Sequence, residues 1–188
     1  MVGELTFFLG LQVKKKKECI FVSQEKYARN IVKKFGLDSK KHAFTPMSSS
    51  TKLNVDSSDV EVSPTLYRSI IGSLLYLTAS KPDIAFSVGV CARYQASPKE
   101  SHMTAVKRII RYINGTPDYG LWYSKDSNAC LAKYSDANWA SSVDDRKSTS
   151  GGCFYLGNNL VSWISKKKNS VSLSTAEVEY IVAGSCYT

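Results

Sequence analysis

The sequence predicts an α/β chain of the α+β kind, with strands and helices in separate blocks. Three observations lead there. The first forty residues hold two short β-type runs around a lysine turn, then one amphipathic helix. The middle carries three apolar stripes at helical spacing, each opened by cap residues and proline. The last third has aromatic-rich strand-type runs and closes on a capped helix.

In chain order, residues 5–13 (Leu-Thr-Phe-Phe-Leu-Gly-Leu-Gln-Val) read as a strand, 14–17 as a turn of four lysines, and 19–22 as a second strand. A helix starts at Ser23 with Tyr27, Ile31, Val32 and Phe35 on one stripe, and Gly36 stops it. From His42 to Pro64 the chain is rich in Ser, Thr, Asp and Pro and lacks periodicity, as a linker does. Ser63-Pro64 opens the next helix, whose apolar face is Leu66, Ile70, Ile71, Leu74, Leu75 and Leu77. Ser80-Lys81-Pro82-Asp83 opens another, carrying Ile84, Ala85, Val88 and Ala92. Ser97-Pro98-Lys99-Glu100 reads as a capping box with proline at the first helical position. Met103, Val106, Ile110 and Ile113 form that helix's stripe, and Gly115 ends it. Residues 129–135 then form a strand ending at Asp136. Residues 151–156 and 160–164 pair through Gly157-Asn158-Asn159, and Ser174 caps a last helix with Glu177 completing the box. The expected organisation is 1–41 hairpin and helix, 42–63 linker, 64–120 helical segment, and 121–188 the C-terminal strand-and-helix domain.

Composition narrows the function. A net charge of +9 calls for an anionic partner, most simply nucleic acid held through its phosphates. The lysines 14–17, the helix-borne Lys107, Arg108 and Arg111, and Lys166, Lys167 and Lys168 are the candidate contacts. Five scattered cysteines with no C-x-x-C pair fit reduced intracellular thiols, not a disulfide framework or zinc site, and two histidines make a histidine metal centre improbable. No secretory signal and no membrane-length apolar run is visible, so the expected location is intracellular, with no membrane partner.

Two carboxylates stand out. Asp136 ends a strand and Glu179 lies in the first turns of the following helix, a placement that can bring two acids together over one sheet edge, as metal-dependent nucleases require. Glu177, two residues from Glu179, points roughly 200° away from it on a helix and is the better cap. Val143-Asp144-Asp145 mimics the paired aspartates of a polymerase centre, but it follows Ser142 and runs into Arg146-Lys147-Ser148-Thr149-Ser150-Gly151, the wrong context for that role.

Tyr134-Ser135-Asp136-Ala137-Asn138-Trp139, Asp144-Asp145-Arg146-Lys147-Ser148-Thr149-Ser150-Gly151, Val161-Ser162-Trp163-Ile164-Ser165-Lys166-Lys167 and Leu173-Ser174-Thr175-Ala176-Glu177-Val178-Glu179-Tyr180 together resemble the ribonuclease H domain of copia-type LTR-retrotransposon Pol polyproteins. Phe8-Leu9-Gly10-Leu11-Gln12-Val13 resembles the end of the polymerase palm, and the stretches from Tyr67 to Phe86 and Ala105 to Thr116 resemble the thumb and connection. The resemblance implies a β-hairpin and helical thumb/connection segment followed by a truncated RNase H-like sheet of order 3-2-1 with one helix. It implies Asp136 and Glu179 as catalytic, metal-binding acids, Mg²⁺ as cofactor, and an RNA–DNA hybrid or other nucleic acid as partner, beside the remainder of the Pol polyprotein. For the intact element it implies a cytoplasmic, particle-associated or nuclear site of action. Asn138 stands where such sequences usually carry a second acid. The family's palm carboxylates are expected before Met1 and its later RNase H acids after Thr188, so the fragment alone is expected to be nearly inactive. Segments similar to residues from Tyr67 onward also occur among secreted pathogen effectors acting in plant cells, which makes a non-enzymatic interaction protein the alternative.

Overall fold

The computed structural model describes residues 6–184 except 49, 56, 57 and 127. It is of mixed helix and strand, and it divides into two compact units, Met1–Ser49 with Val60–Asp126 and Ser50–Asp59 with Ser127–Thr188.

The first unit begins with a correction. The run read as one strand doubles back: β1 (Phe7–Phe8) and β2 (Leu11–Lys15) pair antiparallel around Leu9 and Gly10. Both turn residues have positive φ, 46° and 78°, as a tight two-residue hairpin turn demands. Leu9 is no natural occupant, but its carbonyl accepts a 2.7 Å hydrogen bond from Tyr76 Oη, and a Cβ on Gly10 would lie 1.9 Å from that oxygen. Leu5 lies outside the described residues. β2 also runs through Lys15, so only Lys16 and Lys17 remain of the four-lysine turn before β3 (Cys19–Ser23).

Ser23 ends β3 instead of starting a helix. α1 (Glu25–Lys34) follows Gln24 and buries Ala28, Ile31 and Val32. Gly36, at φ 66°, closes it, with Gly36 N–H donating to the Lys33 carbonyl and Leu37 N–H to the Val32 carbonyl, the paired bonds of a Schellman end. Gln24 is fully buried and satisfied at both ends, donating to the Tyr76 carbonyl and accepting from Ser80 Oγ.

α2 (Pro64–Leu77) is capped by Ser63, whose Oγ accepts from Leu66 N–H, and it buries Tyr67, Ile70, Ile71, Leu74 and Leu77. Leu66 and Leu75, placed on the apolar face by periodicity, are 48% and 47% exposed. Tyr67 takes that inward place, its Oη donating to the Cys91 carbonyl at 2.8 Å. Burial raises the Tyr67 phenol and pushes the Cys91 thiol up to about 12, so both stay neutral. A 3-10 turn, Pro82–Ile84, leads into α3 (Ala85–Ala92). Lys81 before it is fully buried, and burial lowers its pKa. Its ammonium donates to the Thr116 carbonyl and sits 5.3 Å from the centroid of the Tyr119 ring.

α4 (Glu100–Gly115) starts two residues later than the Ser97–Glu100 pattern suggests. Pro98 precedes the helix, and the buried His102 accepts the Lys99 N–H on Nδ1 at 3.0 Å while stacking on Tyr94. Met103, Val106, Ile109, Ile110 and Ile113 are buried as the stripe requires. β4 (Gly120–Ser124) pairs with β3, giving an antiparallel sheet in the order β1-β2-β3-β4. The expected boundary between residues 120 and 121 therefore falls inside a strand of the first unit.

In the second unit β5 (Leu131–Asn138), β6 (Thr149–Leu156) and β7 (Asn159–Lys167) form an antiparallel sheet in chain order, with Gly157 at φ 60° in the two-residue turn between β6 and β7. α5 (Thr175–Gly184) packs along β5. Residues 50–59, expected as linker, belong to this unit. Among the described residues no helix is long and apolar enough to cross a membrane.

Ile110, fully buried, and Leu66, half-exposed, separate the inward face from the outward one. Ile110→Ala is expected to lower stability by about 2–5 kcal/mol and Leu66→Ala by about 0.5 kcal/mol or less, as read by urea unfolding. Equal losses would contradict this packing.

Candidate acidic site and basic surfaces

Asp136 sits within β5, not at its end, because the strand continues to Asn138. It is exposed and pairs across the sheet with Gly151, which pairs in turn with Ser165. Directly paired residues share a face, so Asp136 stands beside a glycine with no side chain to crowd it. A Cβ there would meet only the Asp136 carbonyl oxygen, at 4.0 Å. Two residues back along the same face, Tyr134 meets Tyr155 edge to face at 5.9 Å, and both line a groove of about 470 Å³ with Ala132, Cys153 and Asn158.

The helix that carries Glu179 is held to this strand at two places. Trp139, just past β5, donates its indole N–H to the carbonyl of the buried Ser172 at 3.0 Å, pinning the segment that leads into α5. Val178 and Val182 are the buried residues of α5. Glu179 is exposed and lies roughly 80° from the middle of that valine stripe, on its shoulder. Glu177 is occupied otherwise: its N–H donates to Ser174 Oγ at 3.1 Å, and its carboxylate accepts the Leu173 N–H at 2.6 Å. The box thus closes one residue earlier than expected, on Leu173 instead of Ser174. Val182 lines a cleft of about 770 Å³ with Ser150, Ile164, Lys166 and Lys168. Ser150 and Ile164 alternate to the face opposite Asp136. β5 is an edge strand of this sheet among the described residues, and the sheet lies between the row of Asp136 and the side on which α5 carries Glu179, so the structure does not bring the two acids together.

The Asp144-Asp145 pair is structural. Asp144 accepts the Val55 N–H at 2.7 Å. Asp145 lies 2.8 Å from Lys167 Nζ and accepts the Lys147 N–H. Ser142 N–H donates to the Lys147 carbonyl, Arg146 N–H to the Ser142 carbonyl, and Ala140 N–H to Ser148 Oγ. The loop between β5 and β6 is thereby laced shut by its own polar residues. Lys167 first, then Ser142 and the Lys147 N–H, hold the Asp145 carboxyl well below the usual carboxylate range, with slight burial opposing them.

The basic candidates divide. Lys14, Lys15, Lys16 and Lys17 are exposed, Lys14 and Lys15 at the end of β2 and the other two in the turn. Lys107 pairs with Glu100 at 3.2 Å, and Arg108 donates to the carbonyl and hydroxyl of Thr45. Arg111 is half-buried, and its carbonyl accepts the Ala43 N–H. These three help hold residues 43–45 or α4 itself. Lys166 is exposed, Lys167 is committed to Asp145, and Lys168 donates its N–H to the Ser148 carbonyl. Trp139 escaped the sequence reading as a positioning residue. Its signal was an indole N–H three residues after the strand acid, a donor that needs a partner when partly buried.

The described residues thus form an α+β chain with one exposed strand acid, one exposed helix acid and lysine-rich surfaces. Comparison with known proteins supplies the family. The chain is 40% identical over 177 residues to the retrovirus-related Pol polyprotein from transposon RE1 of Arabidopsis thaliana, covering 94% of this chain and 12% of the polyprotein. It is 36% identical over 180 residues to an uncharacterized mitochondrial protein of the same plant (AtMg00810), 95% of this chain and 74% of that protein. Over 116 residues it is 43% identical to secreted RxLR effector protein 161 of Plasmopara viticola, 61% of this chain and 82% of the effector. The chain belongs to the copia-type retrotransposon Pol polyprotein family. No family model and no solved structure matches it.

A carboxyl whose pKa is depressed by folding stabilises the fold fully above its ordinary value and loses that contribution as pH falls through the lowered one. Asp145 is therefore expected to titrate below its ordinary 3.8 in carboxyl-detected NMR, and Lys167→Gln to move the midpoint up toward that value. An unmoved midpoint would show that Lys167 is not the cause.

Proposed function

We propose that these 188 residues are a thumb and connection segment of a copia-type reverse transcriptase followed by the first strands and first helix of its RNase H region, and that they bind nucleic acid while cleaving it weakly or not at all. What carries the reading is the likeness to retrovirus-related Pol polyproteins over 94% of the chain, which includes the two motif acids. Asp136 lies on an open row of the edge strand β5, and Glu179 lies on the shoulder of the helix packed along that strand. The two lie on opposite sides of the sheet, and a cation shared by them would have to sit at the free rim of β5.

The donors fit Mg²⁺ in kind, since hard oxygen ligands are what that ion takes, and it commonly binds through one or two carboxylates plus waters and substrate phosphate. Two acids suit one hydrated ion, not the pair about 4 Å apart that clamps both oxygens of a phosphoryl displacement. Among the described residues no group of three or more His, Cys, Asp or Glu gathers in one place. When bound, the ion would polarise a phosphate oxygen and lower the pKa of a coordinated water. The protein's part is to hold Asp136 on a rigid strand, to hold Glu179 by the Trp139–Ser172 and valine contacts, and to offer the Lys166 and Lys168 cleft to phosphate.

A second reading, an interaction protein without enzymatic activity, is favoured by the likeness to the RxLR effector. It predicts a protein partner whose capture survives neutralisation of the exposed lysines.

The test is an RNA–DNA hybrid assay with Mg²⁺. Cleavage by the 188-residue chain is expected at background, unchanged by Asp136→Asn, while the hybrid still binds with an affinity that falls steeply as salt rises. Robust cleavage abolished by Asp136→Asn would overturn the inactivity, and salt-independent or absent binding would overturn the nucleic-acid reading.

A further inference from the structure

We propose that the sheet face of the first unit bearing Phe21 and Trp122 is a stacking platform for the bases of a single nucleic-acid strand, with Lys14 and Lys16 engaging its phosphates. The inference rests on the nucleic-acid part of the reading above and adds where and how the strand is held.

Three strands build the platform. Lys14 on β2 pairs with Phe21 on β3, and Phe21 pairs with Trp122 on β4, so the three side chains form one row on one face. The Phe21 and Trp122 rings lie 5.8 Å apart and tilted by 54°. On β4 the neighbouring Leu121, pointing to the other face, is 8% exposed, whereas Trp122 is 52% exposed. The strand thus turns its leucine inward and its largest aromatic outward. Lys16 Nζ stands 4.8 Å from the Trp122 ring centroid, a cation held over the π-face by the ring's own field. A base taking that face would displace the ammonium by a short swing onto the adjoining phosphate. Lys125, at the end of β4, fastens the lysine tip to the platform: its N–H donates to the Glu18 carbonyl and its ammonium to the Lys17 carbonyl at 2.7 Å.

Charge identifies the occupant. The first unit holds eighteen of the Lys and Arg residues against nine of the acids, which is the whole +9 of the chain. The second unit, with seven of each, is neutral. Phosphate attraction therefore falls on the unit without the Asp136–Glu179 pair. An exposed indole beside a half-buried phenyl ring and lysines matches a strand whose bases are unstacked and whose backbone is anionic, and base–aromatic stacking tolerates any base sequence. A duplex hides its base faces and could use only the lysines.

The test is fluorescence anisotropy of labelled oligonucleotides of roughly 12 nucleotides, in DNA and RNA form, and of a duplex of equal length, with the full 188-residue chain. Trp122→Ala is expected to weaken single-strand binding about tenfold while leaving duplex binding unchanged, and Trp122→Phe to restore most of the loss. Lys14→Gln with Lys16→Gln is expected to lower the slope of log affinity against log salt by about one per lysine. Independently of any alanine variant's folding, oligonucleotide should quench the indole emission of the unmodified chain, and Trp122→Phe should remove most of that quenching. Single-strand affinity and quenching indifferent to Trp122, or an equal loss on duplex and single strand, overturns the platform and leaves the family reading intact. Absence of binding by the unmodified chain overturns both.

Discussion

A carboxylate on a strand and another on a helix can act on one ion only if the helix is locked to the strand, and here the lock is small. It consists of Val178 and Val182 buried beneath the sheet and the Trp139 indole holding the Ser172 carbonyl. The ten described residues of this helix are a span too short to be stable alone in water, so its position is set by this contact and by its Ser174–Glu177 cap. Everything proposed for Asp136 and Glu179 depends on that docking. A slip of one residue along the helix would swing Glu179 by roughly 100°.

Much of the second unit was legible because its signals are local. Apolar, aromatic-rich runs marked the strands, Gly157-Asn158-Asn159 marked the turn between two of them, and a serine three residues before a glutamate marked the cap. The acids were singled out by their motif strings, while their exposure and the rim between them came only from coordinates. Where sequence reading failed, a distant partner had decided the local outcome. The turn at Leu9-Gly10 is completed by Tyr76 from α2, and a leucine there looks like strand continuation. Gly120–Ser124 joined β3 because of a pairing about a hundred residues away, which no local pattern announces. The α4 cap shifted because His102, not an acidic residue, supplied the acceptor. Leu66 and Leu75 were read inward because they fall beside the α2 stripe, but five residues sufficed to fill that core and Tyr67 was among them.

The two units also divide the physical tasks proposed for them. The conspicuous Asp144-Asp145 motif serves loop geometry, tying Val55, Lys147 and Lys167 together. The acids left open are the isolated ones, Asp136 and Glu179. Several expected phosphate contacts are likewise absorbed into the fold, Arg108 by Thr45 and Lys107 by Glu100. Four exposed lysines cluster at the β2–β3 tip, beside the exposed Trp122, on the unit that carries the net charge. The proposed single-strand platform and the proposed cation site therefore belong to different units, so each can be altered without the other.

The central proposal is that Asp136 and Glu179, from opposite sides of the sheet, reach one cation around the rim of β5. Mn²⁺ standing in for Mg²⁺ broadens NMR signals of nuclei near it, so titrating it into isotope-labelled chain reads the site directly. Signals of Asp136 and Glu179 are predicted to broaden together and first, with Gly151 close behind. Broadening centred on Asp144 and Asp145, or confined to one of the two acids, would contradict the account.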